Sequence, residues 1–345
     1  MNNPKFSIVV PLYNKEDQVS ETIRSVLAQQ FCDFEIIVVD DGSTDGSAAI
    51  VEQFVDRDSR VRLIRQKNGH VSRARNRGIS ASRGDIIAFL DADDSWRDDH
   101  LLELSKLSDA YPDAGLLGTG YVRRYATGRP VSFLVKKFVG THGLIENYFK
   151  LTIEAQFIYT SSIAIPRWAI EQEQGFNEND LKFTEDLEMW FRFAVRWPVA
   201  YAGQATVNYN CDVPGQATGG GKVTRGLSTE FTSRVIDYIN CNKESHACIC
   251  DISHYLQRKI TRLLGIYLMS CAFTVSIYRK FIEESRIVNF ELSLLNRCLV
   301  RFPSPLFWKP YFLFKRFLES RNYLSMRGGQ YERSGILYSF YQESC

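Results

Sequence analysis

The 345-residue chain is 45% hydrophobic and 24% charged, an ordinary globular make-up with room for one large domain plus an appendage, or for two domains. Its formal net charge of +2 argues neither for nor against a nucleic-acid partner, and no motif in the chain asks for one. No run of about eighteen or more apolar residues occurs, which excludes an evident membrane span; the longest candidate, Leu263 to Ile277, carries Ser and Cys and reads as a packed helix.

Met1 to Lys5 leads straight into a strand pattern, so no signal peptide is expected. The eight cysteines are scattered and are expected to be reduced thiols. Cys241, His246, Cys248, Cys250 and His254 cluster, but without the paired Cys-x-x-Cys knuckle of a zinc site.

In chain order, Phe6 to Pro11 reads as a buried strand, followed by a loop at Leu12-Tyr13-Asn14-Lys15. Val19, Ile23, Val26 and Leu27 then recur at helical spacing, one apolar face of a helix packed on a sheet. Phe34 to Val39 is a second strand, rich in β-branched residues, running into Asp40-Asp41-Gly42, where Asp-Gly marks a turn. A helix with Ile50, Val51, Phe54 and Val55 on one face precedes a short strand, Val61 to Ile64. Asn68-Gly69-His70 turns into a helix over Val71 to Ser82 that carries Arg73, Arg75 and Arg77. Gly84 ends it. Ile86 to Leu90 is then a continuous apolar run, a strand buried on both faces, and it leads directly into Asp91, Asp93 and Asp94. Strand–helix alternation over residues 6–110 predicts right-handed crossovers and a parallel sheet.

After Pro112 the pattern loosens. Gly115 to Thr119, Tyr121 to Tyr125, Thr160 to Ile165, Val199 to Ala202 and Thr206 to Tyr209 read as short strands. Thr184 reads as the N-cap of a helix with Leu187, Trp190, Phe191 and Ala194 on one face. Gly215 to Lys222 reads as a flexible loop, and it lacks the spacing of a phosphate-binding P-loop. From Val223 onward strands are expected to vanish, with helices at residues 236–239, 255–281 and 290–299. Residues 301–327 hold six basic side chains against a single acid, Glu319, interleaved with aromatics.

Two strand ends therefore carry carboxylates, at Asp40-Asp41 and at Asp91 to Asp94. Ligands in open α/β sheets bind outside the carboxyl ends of the strands. Crowded carboxylates repel unless a cation joins them, and Mg²⁺ or Mn²⁺ bridged to a diphosphate would do so. The competing reading is an acidic turn with Asp94 or Ser95 as a helix N-cap. His70, Arg73 and Arg75 could add positive charge against phosphate, or lie on a solvated helix face.

The stretches Ser7 to Asn14, Val38 to Asp45, Ala74 to Ile79 and Phe89 to Asp94, in this order and spacing, resemble a family 2 inverting glycosyltransferase over residues 5–210. Thr184-Glu185-Asp186 falls where that family places its catalytic base. The resemblance implies a GT-A fold, that is, an α/β Rossmann-like nucleotide-binding mixed sheet flanked by helices, here with an α-helical C-terminal extension. Residues 1–222 would form the catalytic domain and residues 223–345 a helical region for membrane or acceptor contact. It also implies a nucleotide-sugar donor, usually UDP-linked, and a divalent metal, Mn²⁺ or Mg²⁺. Pro11 and Tyr13 would flank the base, Asp41 would bond it and Asp40 support it. Asp93 and Asp91 would serve metal and ribose, with Asp94 a competing ligand. His70 falls where some relatives carry a diphosphate-binding arginine, and Arg73 is the better replacement. The Gln-x-x-Arg-Trp element of processive synthases is missing, which favours single addition.

The acceptor, a carbohydrate or lipid-linked saccharide, must lose a hydroxyl proton as it attacks the anomeric carbon. Asp186 is the candidate base and Glu185 its support; the bland reading of both is a pair of first-turn helix acids. The expected setting is bacterial cell-surface polysaccharide synthesis in the cytoplasm. Residues 301–327 would give peripheral contact with the cytoplasmic face of the inner membrane, or else pack on the catalytic domain. The alternatives are a sugar-nucleotide binder that has lost catalysis and a nucleotidyltransferase of similar fold. The latter needs a Gly-rich signature after the first strand, where Pro11 to Asn14 stands instead.

Overall fold

The structure is a computed structural model, and it describes residues 3–154, 156–178, 185–211, 238, 331–333 and 336–340. Three strands, β1 (Phe6–Leu12), β2 (Phe34–Asp40) and β3 (Val61–Arg65), alternate with helices α1 (Val19–Leu27), α2 (Ser47–Val55) and α3 (His70–Ala81). β4 (Ile86–Phe89) returns beside β1, so that β4, β1, β2 and β3 lie side by side and parallel. This is the parallel sheet that the alternation predicts. All four β4 residues are buried, and strands pair along both edges of β4. Val19, Ile23 and Val26 form the buried stripe of α1, as their spacing requires.

The second half is mixed. It contains β5 (Ser95–Trp96), α4 (His100–Ala110), β6 (Leu116–Arg124), β7 (Val131–Val135), β8 (His142–Leu144) and α5 (Tyr148–Glu154). A 3₁₀ turn (Thr160–Ser162), β9 (Ile163–Pro166), α6 (Arg167–Gln172), α7 (Glu185–Arg196) and β10 (Val199–Asn210) complete it. β9 runs antiparallel between β4 and β6 and so joins the two halves into one sheet. β10 lies parallel along the other edge of β6.

Several expected elements differ. The two strands read on either side of Gly120 are one, β6. A Cβ at Gly120 would strike the Leu134 side chain and the Phe133 carbonyl, so this glycine admits a neighbouring strand rather than breaking its own. β10 likewise joins two expected strands through irregular pairing between Ala202 and Val207. The expected strand at Thr160 starts instead as the 3₁₀ turn. Strands do not vanish after Val223: β11 (Tyr331–Arg333) and β12 (Ile336–Phe340) form an antiparallel hairpin. β12 extends the sheet along β7, from Ile336 opposite Val135 to Phe340 opposite Val131. The expected helices beyond residue 223 (Tyr238 apart), the loop at 215–222, the cysteine–histidine cluster, Thr184 and the segment 301–327 lie outside the described residues. Among those described, no helix is long and apolar enough to cross a membrane.

Candidate active site

The loops at the carboxyl ends of β1 and β2 are pinned to each other. Asn14, in the left-handed region at φ 51°, donates its N–H to Ser43 Oγ at 3.1 Å and accepts from Thr44 N–H at 2.8 Å. Asp40, at the end of β2, accepts from Ser43 N–H at 3.0 Å. Asp41 Oδ1 accepts from Gln66 Nε2 and from Gly69 N–H, both at 2.8 Å, which leaves Oδ2 for a ligand. Pro11 is half-buried in β1, and Tyr13 is 48% exposed beside it. A flat apolar wall next to buried carboxylates suits a nucleobase. His70 stands at the start of α3 at φ 69°, exposed. Arg73 is exposed and reaches Glu178 at 3.4 Å.

The carboxylates after β4 separate into three environments. Asp91 Oδ1 accepts from Arg75 Nη2 at 2.8 Å and Oδ2 from the Tyr159 hydroxyl at 3.2 Å. Asp93 pairs with Lys15 Nζ at 2.8 Å. Burial and then the charge of Asp91 push its carboxyl up, and Lys15 offsets only part of this. Asp94 is fully buried. It accepts from Ser161 Oγ at 2.6 Å and from Asn210 N–H at 3.2 Å. Burial, then Asp93 and Asp91, push it well above the usual carboxylate range. Ser161 Oγ also accepts from Asp91 N–H at 3.1 Å.

At the start of α7, Asp186 Oδ1 accepts from Leu187 N–H at 2.7 Å, and Oδ2 accepts from Thr160 Oγ1 at 3.1 Å. Burial and the neighbouring Glu185 charge raise Asp186 to about 7, against the opposing pull of Arg75. Glu185 accepts from Arg75 Nη1 at 3.1 Å. One guanidinium, 4% exposed and lying over the Phe176 ring, thus joins the strand-end aspartate to the helix-start pair. Lys15 thus ties the loop after β1 to Asp93, and Arg75 ties Asp91 to Glu185, the neighbour of Asp186. Trp190 is core, packed on Phe89 and Phe176.

Residues 7–167 match the family model described as Glycosyl transferase family 2. This segment is a family 2 glycosyltransferase domain. The glycosyltransferase EpsJ of Bacillus subtilis, described as uncharacterized, is 34% identical over 187 residues, 53% of this chain and 54% of that relative. The putative teichuronic acid biosynthesis glycosyltransferase TuaG, also of B. subtilis, is 38% identical over 99 residues, 28% of this chain and 39% of that relative. The chain thus spans about half or less of the length of these curated relatives. Among solved structures, residues 1–349 of S. aureus TarS in complex with UDP align over 98% of this chain and 97% of that one, with TM-score 0.66 and 17% identity. That likeness concerns the fold, which is GT-A.

Some residues of this candidate site were not legible as such. Arg75 reads in the sequence as a phosphate contact, yet it is buried between Asp91 and Glu185. Lys15 reads as loop and pairs with Asp93. Thr160 and Ser161 read as a strand start, and Tyr159 before them carries no reading; the three touch Asp91, Asp94 and Asp186. Only the helical run of arginines hinted at the first. As for a metal, the donor set fits a hard divalent ion. Asp91 and Asp93 offer carboxylate oxygens, and their repulsion is only partly offset by Lys15. Among the described residues, no three His, Cys, Asp or Glu side chains converge on one point. Such an ion would therefore complete its shell from water and diphosphate oxygens, as Mg²⁺ commonly does.

Proposed function

We propose that the chain transfers a sugar, with inversion, from a UDP-linked donor to a hydroxyl of a carbohydrate or lipid-linked saccharide acceptor, in bacterial surface-polysaccharide synthesis. The observation that carries this reading is Asp186, a carboxylate held by two donors and raised to about 7, across Arg75 from the Asp91–Asp93 cluster. A base balanced near neutrality both exists in its charged form and holds a proton once taken. The acceptor hydroxyl gives its proton to Asp186 as its oxygen bonds to the anomeric carbon. The bond from that carbon to the diphosphate oxygen breaks on the opposite face, and the nucleoside diphosphate leaves with the electron pair. Pro11, Tyr13 and Asp41 hold the base, with Asp40 behind them, and Arg73 and His70 stand toward the diphosphate. Asp93 and Asp91 would hold Mn²⁺ or Mg²⁺, with Asp94 behind them. The ion would neutralise charge on the leaving group. Glu185 keeps Arg75, and through it Asp91, in place.

UDP in the TarS complex and the teichuronic acid description of TuaG support the donor and the setting. Residues 1–222 serve as the catalytic domain. The basic, aromatic segment at 301–327 provides peripheral contact with the cytoplasmic membrane face. Calorimetry tests the donor site: Mn²⁺-dependent UDP binding by the wild type, lost in Asp93→Ala. Undiminished affinity in the mutant removes Asp93 from it.

A further inference from the structure

Burying a charge is costly unless a counter-charge comes with it. Two buried arginines in this fold obey that rule. Arg75 holds Asp91 and Glu185. Arg192, 7% exposed, holds Glu188 and Glu173. Arg123, near the carboxyl end of β6, does not. No carboxylate among the described residues lies within ion-pair distance of it. Its polar neighbours are the hydroxyls of Tyr121, at 3.4 Å, and Tyr125, with the Cys211 thiol also near. Its Nε is enclosed and has no partner. The guanidinium instead lies 4.6 Å from the Phe133 ring centroid and 5.8 Å from those of Tyr121 and Tyr209. Aromatic faces offset part of the lost hydration, but they accept no directed N–H bond pair. The residue as a whole is half-buried, and of its guanidinium nitrogens only Nε is enclosed without a partner.

Its place relative to the site is defined by pairing. Arg123 stands opposite Tyr209 in the register of β6 and β10. The Tyr209 ring is 4.3 Å from that of Tyr159. Tyr159 donates to Asp91, and the next residue, Thr160, donates to Asp186. Two aromatic rings thus separate the guanidinium from the carboxylates that serve metal and base. The guanidinium adjoins the site through these rings without itself pairing with Asp91 or Asp93, which Arg75 and Lys15 hold.

We propose that Arg123 is an oxyanion anchor that recognises a carboxylate or phosphate borne by one of the two sugar substrates. The inference rests on the glycosyl-transfer reading above and narrows its substrate class to sugars with an acidic group. A planar fork binds such a group through paired hydrogen bonds, which an uncharged sugar cannot offer.

The test uses the full chain and three sets of probes, all read by calorimetry at constant ionic strength. Sulfate, titrated with and without saturating UDP and Mn²⁺, reports the anion site itself. Methyl glucoside 6-phosphate and methyl glucuronide against methyl glucoside report an acceptor origin. UDP-glucuronate against UDP-glucose reports a donor origin. The wild type is expected to bind sulfate, and to prefer the charged member in one sugar arm by about tenfold or more, as loss of hydrogen bonds to a charged group implies. Arg123→Met should abolish the preference with UDP affinity unchanged. Arg123→Lys, which keeps the charge without the fork, should retain part of it. Equal binding of charged and neutral probes by the wild type in both sugar arms overturns the proposal without recourse to any variant. So does a folded Arg123→Met that binds sulfate like the wild type. Failure of UDP to bind would instead count against the donor reading, since sulfate is also titrated without UDP.

Discussion

Asp186 combines the two properties that a base for glycosyl transfer requires. Burial and Glu185 raise its proton affinity, while Thr160, Leu187 N–H and Arg75 keep the charged form attainable. The rate with acceptor should therefore rise with pH and level off above about 7. The same shift acts on stability in the opposite sense. The folded state holds this proton more tightly than the unfolded chain, so between about pH 4 and about 7 the Asp186 contribution to stability falls as pH rises. Thr160→Val removes a donor to the carboxylate and should move the rate profile to higher pH, and Thr160→Ser should restore it. A profile flat from pH 5 to 9, or one that ignores Thr160→Val, would show that Asp186 does not limit the reaction. At this scale the acids were legible, because each follows a periodic apolar run or opens a helix. Lys15, Tyr159 and Ser161 were not. Their partners lie far away in sequence, 78 residues on for Lys15 and 68 back for Tyr159, and no local pattern encodes such a contact.

The elements that carry the proposed donor site depend on how closely α3 sits on β1. Gly78 makes that possible: a Cβ there would meet both methyl groups of Val9. In an exposed helix interior, Gly→Ala stabilises by about 1 kcal/mol. Here Val9 is fully buried, and overpacking typically costs about 1–3 kcal/mol. The clash should win. Gly78→Ala is expected to lower the thermal midpoint of the full chain by several degrees, and adding Val9→Ala should recover part of the loss. An unchanged or higher midpoint for Gly78→Ala would mean that α3 can lift off β1 freely. The helices and strands of the first half were legible because apolar periodicity there is clean, as at Val19, Ile23 and Val26. The second half was less so. Its antiparallel neighbours β7, β8 and β9 are set by distant pairings, and the glycines at 120 and 203 read as breaks although they admit close backbones.

In the whole molecule, the proposed function would have a parallel half bind the donor and a mixed half supply the base, and β9 and Arg75 bridge the two halves. Arg75 rises from α3 in the first half and grips Glu185 on α7 in the second. A ligand at Asp91 would thereby be linked, through one side chain, to Glu185 and so to its neighbour Asp186. That the first strands form a parallel sheet followed from the alternation of elements, though their order did not. The seam between halves did not, since the 3₁₀ turn that touches Asp91, Asp94 and Asp186 has no periodic signature. The central claim is that this seam carries a general base. Its most direct test is Asp186→Asn, which keeps size and most hydrogen bonding but cannot accept the proton. Turnover with the acceptor that the wild type glycosylates should fall by about 10²–10⁴-fold, while Mn²⁺-dependent UDP affinity stays at the wild-type value. Turnover within about threefold of the wild type, or a loss of UDP affinity that accounts for the whole decline, would contradict it.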